Sequence, residues 1–503
     1  MTKLPDLAWL RSRDFRAGPF PVSPVTARGW TALAHALAAD RFTLMSLWGE
    51  AGAVCMALHD AEARRVAVAR LDGVTGGFPS VGLLHAPAQR LERSVADLFG
   101  MVPLGAPDAR PWLDHGRWGI AHPLGAAAAQ TAQQPYPFLP VEGTSLHQVP
   151  VGPVHAGIIE PGHFRFTAQG ETVARLEERL GYVHKGLDRL MQGATLARGA
   201  ELAGRTSGDS TVAYAWAFAQ ATEAALCVAV PERAFWLRAL MAELERLANH
   251  LGDIGAICND AAFAMMLAQA SVLREKALRA AQAAFGHRFM RDQIVPGGVS
   301  ADLSPEGEAV LAALIAEIRE RFPALVALYD NTASLLDRTV GTGRVGADLA
   351  RRFGAGGYVG RASGRDFDTR RDLRHAPYDM LRTEVPLRRE GDVNARIWVR
   401  IREVEQICSL VTQMLNTLRP GPVRTEVVPV GEARTGLGLV EGFRGDILVW
   451  LSLDAEANIR RCHMRDPSWF QWPLLEAAIE GNIIADFPLC NKSFNCSYSG
   501  HDL

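Results

Sequence analysis

Seven thiols carry the most distinctive chemistry in this chain: Cys55, Cys227, Cys258, Cys408, Cys462, Cys490 and Cys496. Thiolates are soft ligands for zinc, copper and iron–sulfur centres, and paired thiols close disulfides. No two of the seven stand in C-x-x-C spacing, and the number is odd. A disulfide framework is therefore not expected, and a reducing compartment fits the pattern. Cys490, Cys496 and His501 match no zinc spacing and read as packing or free thiols. Cys462 and His463 are neighbours in an expected strand, so their side chains point to opposite faces. Glu223 interrupts the apolar run 210–230. A carboxylate buried there has a raised pKa, which suits proton transfer. The glycines Gly354, Gly356 and Gly357 follow no strand and have the wrong spacing for a dinucleotide site, so they read as a loop. No P-loop, H-E-x-x-H or G-x-S-x-G occurs.

The elements that must position these groups follow from pattern and composition. At 503 residues the chain has room for two to four domains. Its 53 basic and 55 acidic residues nearly cancel, so no global basic field for nucleic acid exists. The first twenty residues carry scattered charges and no apolar core, so no signal peptide is expected. The run 210–230 is read as a buried helix, because Gln220 and Glu223 break the apolar length a membrane span needs. Short apolar runs between turns over 41–75 predict a small α+β domain. The uncharged Ala/Gln/Pro-rich stretch 123–140 reads as a linker. Leu237, Leu240, Met241, Leu244, Leu247 and Leu251 predict the apolar face of a long helix, with Glu243, Glu245 and Arg246 on its polar side. Ser304-Pro305 starts another helix, and Pro323 is expected to kink or end it. Strands are expected over 445–453 and 458–464. The fold class is thus α+β. Residues 1–122 form a small N-terminal α/β domain, 123–147 a linker, and 148–503 a mainly helical bundle with small sheets.

Several separated motifs share one resemblance. Leu91-Glu-Arg93, Asp97-Leu-Phe-Gly100, Gly105, Asp108 and Arg110 resemble the 30 kDa subunit of respiratory complex I. Residues 181–190, with His184, resemble the complex I 49 kDa subunit, a relative of the [NiFe]-hydrogenase large subunit. The motifs at 243–251 (with His250), Pro296-Gly-Gly-Val299, Arg361-Ala-Ser-Gly364, Gly391-Asp392 and Arg400 continue it in order. So do Glu441-Gly-Phe-Arg444-Gly-Asp446 and Arg465-Asp-Pro-Ser468. The fused order is similar to the large subunits of group 4 membrane-bound hydrogenases, such as those of formate hydrogenlyase.

That resemblance implies a four-thiolate metal site built from two C-x-x-C pairs. Here the matching positions read Ser207, Ser210, Ser497 and Gly500. A neutral hydroxyl cannot replace a bridging thiolate, so no [NiFe] site and no cofactor held by this chain are expected. The end at Leu503 falls about where a processed family member would end, which fits a subunit that needs no nickel-dependent maturation. The complex I quinone site would place a tyrosine at Gly208, with Tyr214 six residues on, and a histidine in the hairpin bearing His155 and His163. His163 and Tyr214 are thus the candidates for an altered quinone pocket. Glu160, His155, Asp209, Glu223 and Arg444 are the candidate proton-relay and pocket residues. The alternative for these is structural pairing of Arg205 or Arg444 with Asp209 or Asp486. For His184 and His250 it is a core role against a role at a subunit interface. The expected partners are an iron–sulfur small subunit holding a [4Fe-4S] cluster, a ferredoxin-like subunit and antiporter-like membrane subunits. The expected place is the cytoplasmic side of the inner membrane, peripheral through a complex. The implied role is electron-transfer or proton coupling in a complex-I-related oxidoreductase, with quinone reduction or a purely structural scaffold as alternatives.

Overall fold

The structure is a computed structural model. It describes residues 10, 12–13, 18–130, 135–154, 159–373 and 376–503. The N-terminal unit is built on one sheet and two helices. Strand β1 (Val22–Val25) leads into helix α1 (Ala27–Ala38), which Thr26 caps by accepting the Gly29 amide at 3.2 Å. Strands β2 (Thr43–Glu50), β3 (Ala53–Asp60) and β4 (Arg65–Asp72) form an antiparallel meander, and β1 joins β4 in parallel. Nearly every residue of β2 and β3 is buried. One face of the meander meets α1 and helix α2 (Gln89–Phe99). The other meets the C-terminal unit.

The stretch read as a linker is fastened along its described length. Ala128–Ala129 pairs with Ile120–Ala121. Tyr136 accepts from Arg93 at 2.7 Å, and Arg175 reaches the carbonyls of Leu139 and Pro140.

A three-stranded sheet follows: β5 (Leu146–Val151), β6 (His163–Gln169) and β7 (Thr172–Arg179). The helical body then comprises α3 (Thr211–Leu226), α4 (Glu232–Asp260), α5 (Ala264–Phe285), α6 (Pro305–Asp330) and α7 (Val393–Thr417). A last meander, β8 (Arg434–Gly442), β9 (Gly445–Leu453) and β10 (Ile459–Arg465), precedes α8 (Ser468–Ile479), α9 (Phe487–Phe494) and the short α10 (Tyr498–Asp502).

Two expectations change. Of the two outcomes expected at Pro323, an end to helix α6 does not occur: the helix starts at the Ser304 cap as expected and runs on to Asp330. Its flanks there are packed: Phe322 is buried and Leu325 and Val326 lie against the core. Glu243, Glu245 and Arg246 are not on a solvent face of α4, because that helix is central and buried nearly all round. The charges of Glu243 and Arg246 are met inside the protein instead. Glu243 accepts from Arg370 at 2.9 Å and from the Tyr378 hydroxyl at 2.6 Å, and Arg246 donates to the carbonyls of Glu441 and Gly442.

Helix α3 lies directly on strand β8. A Cβ built at Gly436 would meet the Ala221 carbonyl at 1.9 Å, and one at Gly438 would meet the Ala217 carbonyl at 1.9 Å. Only glycine allows this approach. On the opposite side the last meander takes up the N-terminal sheet. Ser46 Oγ and His463 Nε2 are 2.7 Å apart, Trp450 Nε1 donates to Glu50 at 2.7 Å, and Arg465 Nε donates to the Met45 carbonyl at 2.6 Å. Trp48 stands between the Trp450 and His463 rings, at 5.5 and 5.1 Å.

Candidate functional site

Two loops far apart in sequence meet at Ser207, Ser210, Ser497 and Gly500, the four positions that the resemblance matches to metal ligands. The first, 205–210, leads into α3. The second, 495–500, leaves α9 through Asn495, whose φ of 46° turns the chain sharply. Ser497 then caps α10, its Oγ accepting the Gly500 amide at 2.9 Å, while its own amide donates to Ser468 Oγ at 2.8 Å. The loops join where Ser207 Oγ and Ser497 Oγ lie 2.9 Å apart. Ser207 and Ser210 both donate to Asp209 Oδ1, at 2.8 and 3.2 Å.

A third segment locks the pair. The turn between β8 and β9 delivers Arg444, whose guanidinium grips Asp209 through two bonds of 2.8 and 2.6 Å. Its Nε donates to the Asn495 carbonyl. That turn sits flush against Gly356 and Gly357: a Cβ at Gly357 would stand 2.1 Å from the Arg444 carbonyl. The glycine-rich loop is thus a packing surface for the arginine turn.

The fourth position has no room for a side chain. A Cβ at Gly500 would lie 2.5 Å from Asp466 Oδ2, which accepts the Tyr214 hydroxyl at 2.7 Å. The donor set therefore does not fit a [NiFe] centre. Three positions hold neutral hydroxyls already engaged in hydrogen bonds, and the fourth is filled by Asp466. Among the described residues no group of three or more His, Cys, Asp or Glu is placed to hold a metal ion.

The electrostatics match this closed arrangement. Burial opposes the charge of Asp209, but Arg444 and the two serine hydroxyls outweigh it and hold its pKa at about 2. Asp209 is thus an ionised counter-charge at neutral pH. Burial and the charge of Asp466 push the Tyr214 hydroxyl well above its ordinary value. Glu160 stands at the rim, accepting from the Ser499 amide at 3.1 Å and hydroxyl at 3.0 Å. Lys185 Nζ closes the same edge through the Thr206 and Ser499 carbonyls.

The other expected residues fall elsewhere. His155 lies outside the described residues. His163 donates from Nδ1 to the Gly152 carbonyl at 2.9 Å and packs on Phe138, lining a cleft of about 1040 Å³ with Tyr136, Tyr182 and Arg179. Tyr214 is not among the residues lining that cleft, and its hydroxyl donates to Asp466. Glu223 is at the far end of α3, roughly 20 Å along the helix from Ser210 at 1.5 Å per residue. There it pairs with Arg238 at 2.5 and 3.0 Å and accepts the Gly297 amide at 2.8 Å, away from the serine cluster. Arg205 pairs with Asp292 and Asp486 with Arg338. His184 stacks on Trp118 at 4.6 Å, and fully buried His250 is bonded to Glu403.

Asp466, Ser468, Ser499 and Glu245 belong to the site or its margin; the first two stand in a quoted motif and Glu245 on a named helix face, but sequence reasoning gave none of the four a role there. For Glu245 a signal existed. Three ionisable residues stand within four positions of a helix whose other faces are also apolar.

Residues 25–134 match the family model of the respiratory-chain NADH dehydrogenase 30 Kd subunit, and residues 260–435 that of the 49 Kd subunit. The chain is 31% identical to formate hydrogenlyase subunit 5 of Escherichia coli over 84% of its own length and 77% of the relative's. It is 29% identical to hydrogenase-4 component G of the same organism, over 87% and 78%. It is 32% identical to an NADH-quinone oxidoreductase subunit of Gluconacetobacter diazotrophicus, over 68% and 88%. The chain belongs to the family of complex I 49 kDa subunits and related group 4 hydrogenase large subunits, in the form that carries a fused 30 kDa domain.

Proposed function

We propose that this chain is the large subunit of a membrane-associated, complex-I-related oxidoreductase assembly and works there without a [NiFe] centre. The observation that carries this reading is that Ser207, Ser210 and Ser497, at three of the ligand positions, are tied into one bonded knot with Asp209 and Arg444, while Asp466 fills the space at the fourth, Gly500. The chain contributes a rigid wall and proton coupling, and binds no redox cofactor itself. The relatives are each named as one part of a larger enzyme, which supports a multisubunit setting. In this reading the partners are a small subunit with a [4Fe-4S] cluster, a ferredoxin-like subunit and antiporter-like membrane subunits. No helix among the described residues is long and apolar enough to cross a membrane, so attachment through partners at the cytoplasmic face of the inner membrane fits.

Metal analysis of the purified assembly tests the reading. The expected result is iron from the partner clusters and nickel at background. One nickel per assembly would overturn it.

A further inference from the structure

Beside the serine cluster lies a second feature, a cavity of about 320 Å³ between α4, α5 and the loop before α3. Gly208 and Asp209 form one side of it. Its walls include Leu244, Ala248, Ala277 and Phe289, and Arg274, Arg288 and Arg291 stand around it. The volume has room for several waters. Glu245 also lines it.

Glu245 is 8% exposed and has no salt bridge among the described residues. Its two oxygens accept the amides of Val212 and Ala213, at 2.7 and 3.2 Å, in the first turn of α3. None of the charged groups around it is bonded to it among the described residues. Asp209 stands across the cavity as a permanent anion. Arg246, on its own helix, is turned to the Glu441 and Gly442 carbonyls. From α5 and the loop after it, Arg288 is paired with Glu275, and Arg274 and Arg291 make no ion pair with Glu245. Arg444, from the β8–β9 turn, is committed to Asp209.

We propose that Glu245 is a proton-loading site, taking up and releasing one proton through water in this cavity. The bond that changes is the carboxyl O–H alone: the proton comes from water and returns to it, and no electron moves. The fixed Asp209–Arg444 pair sets the local field and does not itself carry the proton. Burial, opposed by the two amides and aided by Asp209, raises the Glu245 pKa to about 8, so its load changes near neutrality. The inference rests on the proton-coupling half of the function proposed above, but its test does not depend on nickel content. The competing role is a plain helix cap, which keeps the carboxylate ionised throughout.

Infrared titration of the purified assembly separates the two. A protonated-carboxyl C=O band with a midpoint near 8 is expected in the wild type and should be lost in Glu245→Gln. The amide oxygen of glutamine can still accept one of the two backbone amides, so part of the cap is kept while the titrating group is removed. Asp209→Asn, which leaves Glu245 in place, should move the same midpoint down by a measurable fraction of a unit. The band should also shift at once on transfer to D2O, because the proposal has the proton exchange with water in the cavity. A difference spectrum between wild type and Glu245→Gln with no band titrating above neutrality would overturn the proposal. So would a midpoint unmoved in Asp209→Asn, or exchange that waits for unfolding.

Discussion

Glu92 on α2 is wholly buried, accepting from Ser80 Oγ at 2.7 Å and the Val81 amide at 2.5 Å, with no salt bridge among the described residues. Burial lifts its pKa from 4.5 to about 7. A raised folded-state value means stability that is present below the unfolded pKa and lost as pH rises through the folded one. Between pH 5 and pH 8 the wild type should therefore lose about 2 kcal/mol more than Glu92→Gln, measured by urea unfolding at both values. Equal slopes for the two proteins would refute the assignment. Single residues of the site were legible to different degrees. The two serine-bearing loops stood out because each is framed by its own short motif, and the structure brings them together at Ser207 and Ser497. Asp466 was hidden because its partner Tyr214 lies 252 positions away, and no local pattern records such a contact. The pairing of Arg444 with Asp209 was foreseen as one of several options, and only the fold selects among them.

At the scale of elements, the closest packing is α3 on β8. Replacing Gly438 with alanine would drive a methyl into the Ala217 carbonyl, so the helix must lift off the strand. Gly438→Ala should cost more than about 2 kcal/mol in thermal unfolding. Gly76→Ala, at an exposed position with nothing within 4 Å, should stay within about 0.5 kcal/mol. A mild Gly438→Ala would mean the contact yields easily. The strands at 445–453 and 459–465 and the buried helix at 211–226 agree with the sequence reading, because alternation and continuous apolarity are local signals. The polar face assigned to α4 failed because that inference assumes water on one side. Here α3, α5 and α7 surround the helix, and an ionic network including Arg361, Asp368, Arg370, Glu403 and Glu441 takes the place of solvent.

At the scale of the molecule, the N-terminal sheet and the last meander share one buried seam. Phe20, Met45, Trp48, Leu437, Leu439, Leu448 and Trp450 belong to a single cluster. Residues 148–503 expressed alone would expose Trp450, Leu437 and Leu439. That fragment should be insoluble, and co-expression with residues 1–130 should recover a soluble pair, read by co-purification. A soluble, fully folded 148–503 would show the seam to be dispensable. The two-unit organisation was visible in the motif order, whereas the seam was not, since tryptophans on two distant strands give no sign that they face each other.

That seam has a consequence for how such a machine is assembled. Joined on one polypeptide, its two halves meet at an effective concentration in the millimolar range set by the connecting chain, whatever the cell's expression level. Neither half can be made in excess, lost by dilution or exchanged for a mismatched copy. The contact around Trp48 and Trp450 is therefore freed from selecting its partner, and sequence drift there is limited by packing alone.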